Sequence, residues 1–410
     1  MTNPELSQFF LSLVLLLSAA LAGGHAFARL GMPRVIGEIC GGLVLGPSAL
    51  GLAAPEFQTW LFHGFAGQAV LFSAFYWLGM CLLMFTAGFN LSPTLARADR
   101  GLLAALVAAG LLPPFALGAI AAPLLPNTAS ADPVAYALVV GIAASVTSIP
   151  VISRIFIELR LIGGRFAKLT LAAAAVQDLV LWVILAVATS IQLRHGADLS
   201  SVGGAVVATL AFAIVSVLLL PALILLASRL TAWRPGEAPL LGYAMLLCLA
   251  FVALASLLEI NLIFGALLAG LVIARFPARR FEAAKARIAD ISLWFFVPVY
   301  FALVGLKIDL PGDFALGATL AFLLASSLVK IASVTGAARL AGAGGARSLD
   351  FGMAMNARGG PGIVLASVAH AAGIIDSTLF VAFVLASILT SLAAGSWLRL
   401  RLARDPELAA

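Results

Sequence analysis

Residues 170–191 read TLAAAAVQDLVLWVILAVATSI, and Asp178 is the single charged residue of this apolar run. A helix that begins near Phe166 places Asp178 about 12 residues, or roughly 18 Å, along its axis. That depth is near the middle of a hydrocarbon core about 30 Å thick. A carboxylate at the bilayer centre costs about 2.5–3.5 kcal/mol on insertion scales, so an acid in this position indicates a functional site.

The composition is that of a membrane protein. The chain has 410 residues, of which 63% are hydrophobic and 10% are charged, whereas soluble domains carry about 25% charged residues. Apolar runs of about 20 residues recur along the whole sequence. We therefore expect an all-α polytopic membrane protein, and the composition excludes a soluble enzyme.

Turn signals rich in glycine and proline divide the apolar sequence into thirteen predicted transmembrane helices. The approximate segments are 6–30, 33–52, 66–90, 101–124, 133–158, 166–192, 201–229, 239–258, 261–275, 285–306, 314–340, 350–372 and 377–400.

The basic residues indicate an orientation. With thirteen spans, an outside N-terminus and a cytoplasmic C-terminus, 20 of the 24 lysines and arginines fall in cytoplasmic loops or the tail. Arg194 and Lys307 lie outside, and Lys330 and Arg358 lie within the membrane. This bias follows the positive-inside rule. The net charge of +6 is thus mostly a topology signal, and no nucleic-acid partner is expected.

Two predicted spans are interrupted. The fifth contains the run ASVTSIPV at 144–151, and the twelfth contains NARGGPG at 356–362. Irregular backbone at membrane depth is tolerated where it is buried or lines a cavity. If helix 7 is a linker, the two interruptions occupy corresponding positions in two six-helix halves. This spacing predicts an inverted repeat with two crossed discontinuous helices at the binding site.

The polar residues near these interruptions suit a cation and a proton. Asp178 offers oxygens that hold either one, Gln177 adds an amide oxygen, and Thr147 and Ser148 add hydroxyls. The broken helices add free carbonyl groups. When both ions compete for one site in an alternating-access protein, the result is antiport. We therefore expect Asp178 to be the ligand of K⁺ or Na⁺, with Lys330 as its counter-charge.

Each of these residues also has a structural interpretation. Asp178 could pair with Lys330 or cap broken-helix amides, and Lys330 could either neutralise Asp178 or take part in proton release. Gln177 could bond crossing helices. Four other residues could instead support a helix break: Thr147, Ser148, Asn356 and Arg358. Arg358 would do so by bonding carbonyl groups or Glu158.

Several motifs resemble the cation:proton antiporter-2 family of monovalent cation/proton exchangers. They occur in family order over about residues 30–375. The matching stretches are 32–38 with 46–48, 83–88, 145–148, Gln177-Asp178, 265–270, 298–306 and 356–359.

The resemblance implies the sodium/proton antiporter fold and a homodimer whose mobile core carries the site across the membrane as an elevator. The implied domains are dimerisation helices 1–3 in 1–95 and helices 8–10 in 236–310, core helices 4–6 in 96–195 and helices 11–13 in 311–410, and a linker helix 7 in 196–235.

The pair Gln177-Asp178 stands where many members of that family have two acids or Asn-Asp. It resembles the Kef-type potassium/proton exchangers, but their cytosolic nucleotide-binding domain is not expected here, since no strand followed by G-x-G-x-x-G occurs. Gly360, Pro361 and Gly362 follow Arg358-Gly359, where many members of that family carry an acid a few positions on.

The predicted function is antiport of K⁺ or Na⁺ against protons, without a cofactor, by a homodimer surrounded by lipid in the inner (plasma) membrane. The alternatives are sodium-coupled symport of a small organic anion on the same fold, and a channel or a non-transporting sensor. No T-V-G-Y-G filter motif is present for a potassium channel.

Overall fold

The computed structural model describes residues 2–30, 32–90, 99–129, 132–161, 164–193, 199–216, 237–258, 260–275 and 278–404. These residues form helices and connecting turns, and no strand occurs among them. Arg194 and residues 217–229 of the predicted seventh segment lie outside the described residues.

We number the α-helices in chain order. They are α1 Asn3–Arg29, α2 Arg34–Leu45, α3 Leu50–Ala53, α4 Pro55–His63, α5 Gln68–Asn90, α6 Arg100–Ala121, α7 Pro133–Ser145, α8 Ile149–Glu158, α9 Arg165–Leu193, α10 Leu199–Ile214, α11 Glu237–Leu257, α12 Leu262–Ala274, α13 Ala278–Ile291, α14 Val297–Leu306, α15 Leu310–Asp313, α16 Leu316–Leu340, α17 Gly345–Met355, α18 Gly359–Ala371 and α19 Ser377–Arg404.

In the described part of the chain, nine helical segments are long and apolar enough to cross a membrane, and α7 and α12 are shorter apolar helices. Each of the thirteen predicted segments contains all or part of at least one of the numbered helices. The chain is therefore a multi-pass membrane protein. The count of thirteen crossings stays a prediction.

The chain divides into two compact units. Unit 1 comprises Met1–Ala22, Glu38–Ser92 and Thr189–Lys307, and unit 2 comprises Gly23–Gly37, Pro93–Ala188 and Ile308–Ala410. Residues 23–37 group with unit 2, whereas the sequence places them among the predicted dimerisation helices. The roles of dimerisation, linker and core stay predictions.

Unit 1 is built around close packing of α5, α12 and α14. A Cβ added at Gly88 would lie only 2.8 Å from the Cα of Gly270, so these two helices approach at small residues. Near Pro298, which lacks a backbone donor, a π-helical turn at Ser292–Phe296 precedes α14.

Unit 2 contains both interrupted helices. α16 packs against α6, α7, α17 and α19, and α18 packs against α7, α8 and α19. Asp132 begins α7 by accepting hydrogen bonds from the N–H groups of Val134 at 2.8 Å and Ala135 at 3.2 Å. α7 ends at Ser145, and α8 begins at Ile149; α17 ends at Met355, and α18 begins at Gly359. The half-helices α7/α8 and α17/α18 thus leave two short non-helical breaks, 146–148 and 356–358.

Candidate functional site

Asp178 lies on α9 and is almost fully buried, with 6% of its surface exposed. Its Oδ1 atom has no hydrogen-bond partner among the described residues. Because a buried polar atom without a partner costs free energy, this oxygen suits a proton or a cation. Both would be transported species rather than resident cofactors.

Gln177 joins α9 to α6 and to the first break. Its Nε2 donates to the carbonyl groups of Leu106 at 3.1 Å and Val107 at 3.2 Å. Its Oε1 accepts from the hydroxyl of Thr147 at 3.1 Å. These hydrogen bonds connect crossing helices, which is one of the roles that the sequence left open for Gln177.

Thr147 lies in the first break and is fully buried. Besides Gln177 Oε1, the carbonyl of Met355 lies 2.8 Å from its Oγ1, and Lys330 Nζ donates to the same atom at 2.7 Å. One hydroxyl proton serves only one of the two acceptors at a time. Thr147 thus links the end of α17, the middle of α9 and the ammonium group of Lys330 on α16.

Lys330 is fully buried on α16, and its ammonium group binds the first break. Its Nζ donates to the carbonyls of Ser145 and Val146, the latter at 2.8 Å, and to Thr147 Oγ1. These three partners use all three ammonium protons. No ion pair within 4.0 Å joins it to Asp178 in the described structure, although the two charges interact electrostatically. Its role as a counter-charge stays a prediction.

Arg358 lies in the second break and is 1% exposed. Its guanidinium donates to Ser326 Oγ at 2.8 Å and to the carbonyl of Ala144 at 3.3 Å. Its Cζ lies 5.7 Å from the ring centroid of Phe322. The side chain thus connects the second break with the last turn of α7 and with α16. The side chain of Glu158, the alternative partner, lies outside the described residues.

The two breaks meet through the backbone. The N–H of Ser148 donates to the carbonyl of Ala357 at 2.6 Å, and Ser148 Oγ accepts from the N–H of Val151 at 3.3 Å in the first turn of α8. Gly359 follows with a positive φ of 43°. A Cβ added there would lie 2.6 Å from Ser148 Oγ. The crossing therefore requires glycine at this position both for its backbone conformation and for its close approach.

Asn356 begins the second break and is 3% exposed. Its N–H donates to the carbonyl of Met353 at 3.3 Å, so its backbone ends α17. Its Oδ1 has no hydrogen-bond partner among the described residues. The side chain thus leaves a buried acceptor, as Asp178 does.

Sequence reasoning missed several groups at this site. One of them is Ser326, which belongs with the predicted Lys330 to a buried stripe along α16. The stripe recurs every three or four residues and also contains Thr319, Phe322, Val334 and Ala338. That helical periodicity was readable in the sequence. The carbonyl groups of Leu106, Val107 and Met355 were not, since any residue can supply a carbonyl and only the fold brings it near.

The family described as transmembrane sodium/hydrogen exchangers matches this chain over residues 15–404. The high-affinity Na⁺/H⁺ antiporter NhaS3 of Synechocystis sp. is 28% identical, over 96% of this chain and 90% of that protein. The Na⁺/H⁺-K⁺ antiporter GerN of Bacillus cereus is 26% identical, over 94% of both chains.

The K⁺/H⁺ antiporter 1 of Saccharomyces cerevisiae is 28% identical over 89% of this chain, but the match covers 43% of the yeast protein. Among solved structures, the sodium proton antiporter MjNhaP1 from Methanocaldococcus jannaschii has a similar fold. The TM-score is 0.70 at 18% identity, and the match covers 99% of this chain and 98% of that one.

Proposed function

The chain belongs to the transmembrane sodium/hydrogen exchanger family, and on this premise we propose that a monovalent cation and a proton compete at Asp178 during antiport. The family and the named relatives support monovalent cation/proton exchange by a multi-pass membrane protein. Because those relatives are named as antiporters, exchange is favoured over symport of an organic anion, and a transporter over an enzyme.

The observation that carries the proposal is the buried Oδ1 of Asp178, which has no partner among the described residues. A proton or a dehydrated cation would each supply the missing interaction, and one carboxylate does not hold both tightly. Thr147 donates to Gln177, the residue before Asp178 on α9, and the N–H of Ser148 joins the two breaks. These contacts support a site in which the neighbouring polar groups keep their partners while the cation and the proton replace one another at Asp178.

The transported ion is K⁺ or Na⁺. NhaS3 is named for Na⁺, GerN for Na⁺ and K⁺, and the yeast protein for K⁺, so exchange has to be measured with both. We further propose that no cofactor is required beyond the transported ions.

We extend the proposal to an elevator mechanism, because every proposed site residue lies in unit 2. Movement of that unit as one body would carry Asp178, Lys330 and both breaks together. A homodimer in the inner membrane, with an outside N-terminus and a cytoplasmic C-terminus, completes the proposal. The uneven distribution of lysine and arginine supports this orientation.

The test is cation-driven proton movement in everted vesicles or proteoliposomes. Asp178→Asn should abolish the collapse of an acid gradient on addition of K⁺ or Na⁺. Asp290→Asn, which changes an exposed acid on α13, should retain it. Exchange that persists in Asp178→Asn at the wild-type rate would contradict the assignment of the site.

Competition has its own signature. If the proton and the cation share Asp178, the KM for the cation should rise as the pH falls while the maximal rate at saturating cation stays constant. If instead the maximal rate decreases as the pH falls while the KM stays constant, competition is contradicted. Currents on solid-supported membranes, recorded with each ion, would then show whether a cycle moves net charge.

A further inference from the structure

Asn356 lies where the second break crosses the first. The carbonyl of Met355, the residue before it, lies 2.8 Å from Thr147 Oγ1. The carbonyl of Ala357, the residue after it, accepts from the Ser148 N–H at 2.6 Å. All four of these neighbours are fully buried. Contacts on both sides of Asn356 along the backbone thus fix it at the centre of the crossing.

The amide oxygen of Asn356 does not cap either half-helix, although an asparagine beside a helix end commonly accepts from a backbone N–H. The N–H of Ala357 donates to the Ala354 carbonyl at 3.3 Å. The N–H of Arg358 donates to Thr390 Oγ1, also at 3.3 Å. Oδ1 of Asn356 has no partner among the described residues, and the residue is only 3% exposed. This oxygen therefore does not support the break through a hydrogen bond.

Asn356 shares this condition with Asp178. Among the described residues of unit 2, the Oδ1 atoms of these two are the buried side-chain oxygens that only accept hydrogen bonds and have no partner. A buried acceptor of this kind costs free energy until a ligand supplies the missing interaction.

The segments that carry the two oxygens meet at one hydroxyl. Thr147 Oγ1 lies 3.1 Å from Gln177 Oε1 and 2.8 Å from the Met355 carbonyl. Gln177 directly precedes Asp178 in the chain, as Met355 precedes Asn356. The geometry therefore brings α9 and the second break together at the residues next to both unpartnered oxygens.

The two oxygens differ in what they can bind. A carboxylate accepts either a proton or a cation, whereas an amide oxygen is a neutral acceptor on a group that does not titrate. Neutral carbonyl oxygens are nevertheless ordinary ligands of hard cations, as at calcium sites and in potassium filters. An amide oxygen at the site would add to the affinity for the cation and leave the affinity for the proton unchanged.

We propose that Asn356 Oδ1 is a ligand of the transported cation and thereby sets the balance between cation and proton at Asp178. The inference rests on the proposed function, because it assigns a further ligand to the same site. Asp178 and Asn356 bind the cation together, and Asp178 alone binds the proton. The second break thus contributes a neutral ligand, while the residue at which the two ions replace one another stays Asp178.

The experiment measures exchange and cation binding in Asn356→Leu, which removes the oxygen and keeps a branched side chain of similar size. Interaction of a neutral polar atom with a charge contributes about a tenfold factor or more to affinity. The KM for Na⁺ or K⁺, and the Kd from calorimetric titration of the purified protein, should therefore rise about tenfold. The maximal rate at saturating cation should stay constant. The pH at which protons begin to raise the KM should also stay constant, because the amide binds no proton.

Two variants separate a ligand from a structural residue. Asn356→Asp keeps an oxygen in the position of Oδ1 but lacks the NH₂ group, so it should restore the affinity for the cation. If the NH₂ group instead supported the break, the leucine and aspartate variants would be equally impaired. If Asn356→Leu does not fold, Asn356→Ala removes the same oxygen and needs less space.

Thr335→Val is the matched control. Thr335 Oγ1 is also buried without a partner among the described residues of unit 2, but it lies on α16 next to Gly352 of α17. Its substitution removes a buried oxygen outside the breaks, so the KM and the Kd should equal those of the wild type.

Wild-type KM and Kd values in Asn356→Leu would overturn the inference. A lower maximal rate and a lower unfolding temperature at constant KM would also overturn it, because a residue that only supports the break gives that result. Failure of the proposed function has a different signature, since exchange would then persist in Asp178→Asn. Loss of exchange in Asp178→Asn together with an unchanged KM in Asn356→Leu would overturn this inference alone.

Discussion

A buried cationic side chain stabilises each of the two breaks of unit 2. In the first break this side chain comes from another helix, and in the second it belongs to the break itself. The first break, 146–148, contains no basic residue and binds Lys330 of α16 through the carbonyls that end α7. The second break, 356–358, contains its own cation, Arg358, which reaches out to α16 and to the last turn of α7. Carbonyl groups at a helix C-terminus favour a positive charge, so both cations stabilise the end of α7.

This difference separates two tasks. The first break forms a hydrogen bond with Gln177, which directly precedes Asp178 in the chain. The second break is anchored to the rest of unit 2 by its arginine and by its neighbouring half-helices. We infer that the second break is the fixed partner of the crossing and that the first is closer to the chemistry. The predictions below test this asymmetry.

The largest effect is expected at Gly359, where the second break approaches the first. Alanine would have to adopt a φ of 43° and to contact Ser148 Oγ. Left-handed backbone costs about 1–2 kcal/mol outside glycine and overpacking about 1–3 kcal/mol. Gly359→Ala should therefore lower stability by about 3 kcal/mol and remove most exchange activity, as measured by thermal unfolding and vesicle assays.

Gly373→Ala is the matched control, because Gly373 has a φ of 71° but no atom would lie within 4 Å of an added Cβ. It should show the backbone cost alone and retain exchange. Equal losses in both variants would mean that the close approach of the breaks contributes nothing.

The next effect is expected at the anchor of α17. Asp350 is fully buried and accepts from Arg401 Nε at 3.0 Å and from Trp397 Nε1 at 2.9 Å, both on α19. Asp350→Asn removes the charge that Arg401 binds but keeps an acceptor oxygen, and a hydrogen bond to a charged group contributes about 1.5–3 kcal/mol. Thermal unfolding should show this loss.

Asp99→Asn supplies the comparison, because its partner Arg165 has a side chain that is 64% exposed. Exposed ion pairs contribute about 0–1 kcal/mol. If both substitutions have the same small effect, α17 is not anchored through Asp350.

Much of this architecture was predictable from sequence, for reasons that particular residues make clear. The apolar runs gave the helices, and the family matches confirm the predicted class of protein and its antiporter fold. Pro150 and the run Gly359–Gly362 marked the breaks, because neither suits a continuous helix.

The partners of the charged groups were harder to predict. The expectation that Lys330 is the counter-charge of Asp178 used charge alone and stays a prediction. The hydrogen bonds of its ammonium group to carbonyls at the end of α7 were not predicted. Which carbonyl groups a broken helix exposes depends on how two segments cross, and the sequence does not encode that crossing locally. For the same reason the bond from Ser148 N–H to Ala357 could not be foreseen.

A smaller effect is expected when the cation of the first break is removed. Lys330→Met leaves the carbonyls of Ser145 and Val146 without their donor, which costs stability. Part of this cost is offset, because the variant no longer has to bury an ammonium group. We expect stability to fall by about 1–2 kcal/mol. Arg358→Met should cost more, since Arg358 connects α16, α7 and the second break. A larger loss for Lys330→Met would reverse the asymmetry.

The smallest effect is expected where the loop before α7 meets the loop after α18. The Asp376 carboxylate accepts from the Thr128 N–H at 2.8 Å, the Thr128 hydroxyl at 2.9 Å and the Leu379 N–H at 2.9 Å. Burial raises the pKa of Asp376, but these hydrogen bonds and the nearby His370 outweigh it, so the pKa lies below its usual value. Asp376→Asn should cost about 1 kcal/mol at neutral pH.

The pH dependence of that cost follows from the lowered pKa. Asp376 is charged in both the folded and the unfolded chain above an unfolded pKa of about 3.9, and there its full contribution to stability is present. As the pH falls below that value and through the lower folded pKa, the contribution is lost, so the wild type should become no more stable than Asp376→Asn. Thermal unfolding of both proteins between neutral and acidic pH measures this convergence. A constant difference across that range would show that the charge of Asp376 is not what stabilises the junction, and that the contacts of Asn127 with the Ile374 carbonyl at 2.9 Å and the Asp376 N–H at 3.0 Å hold the two loops together.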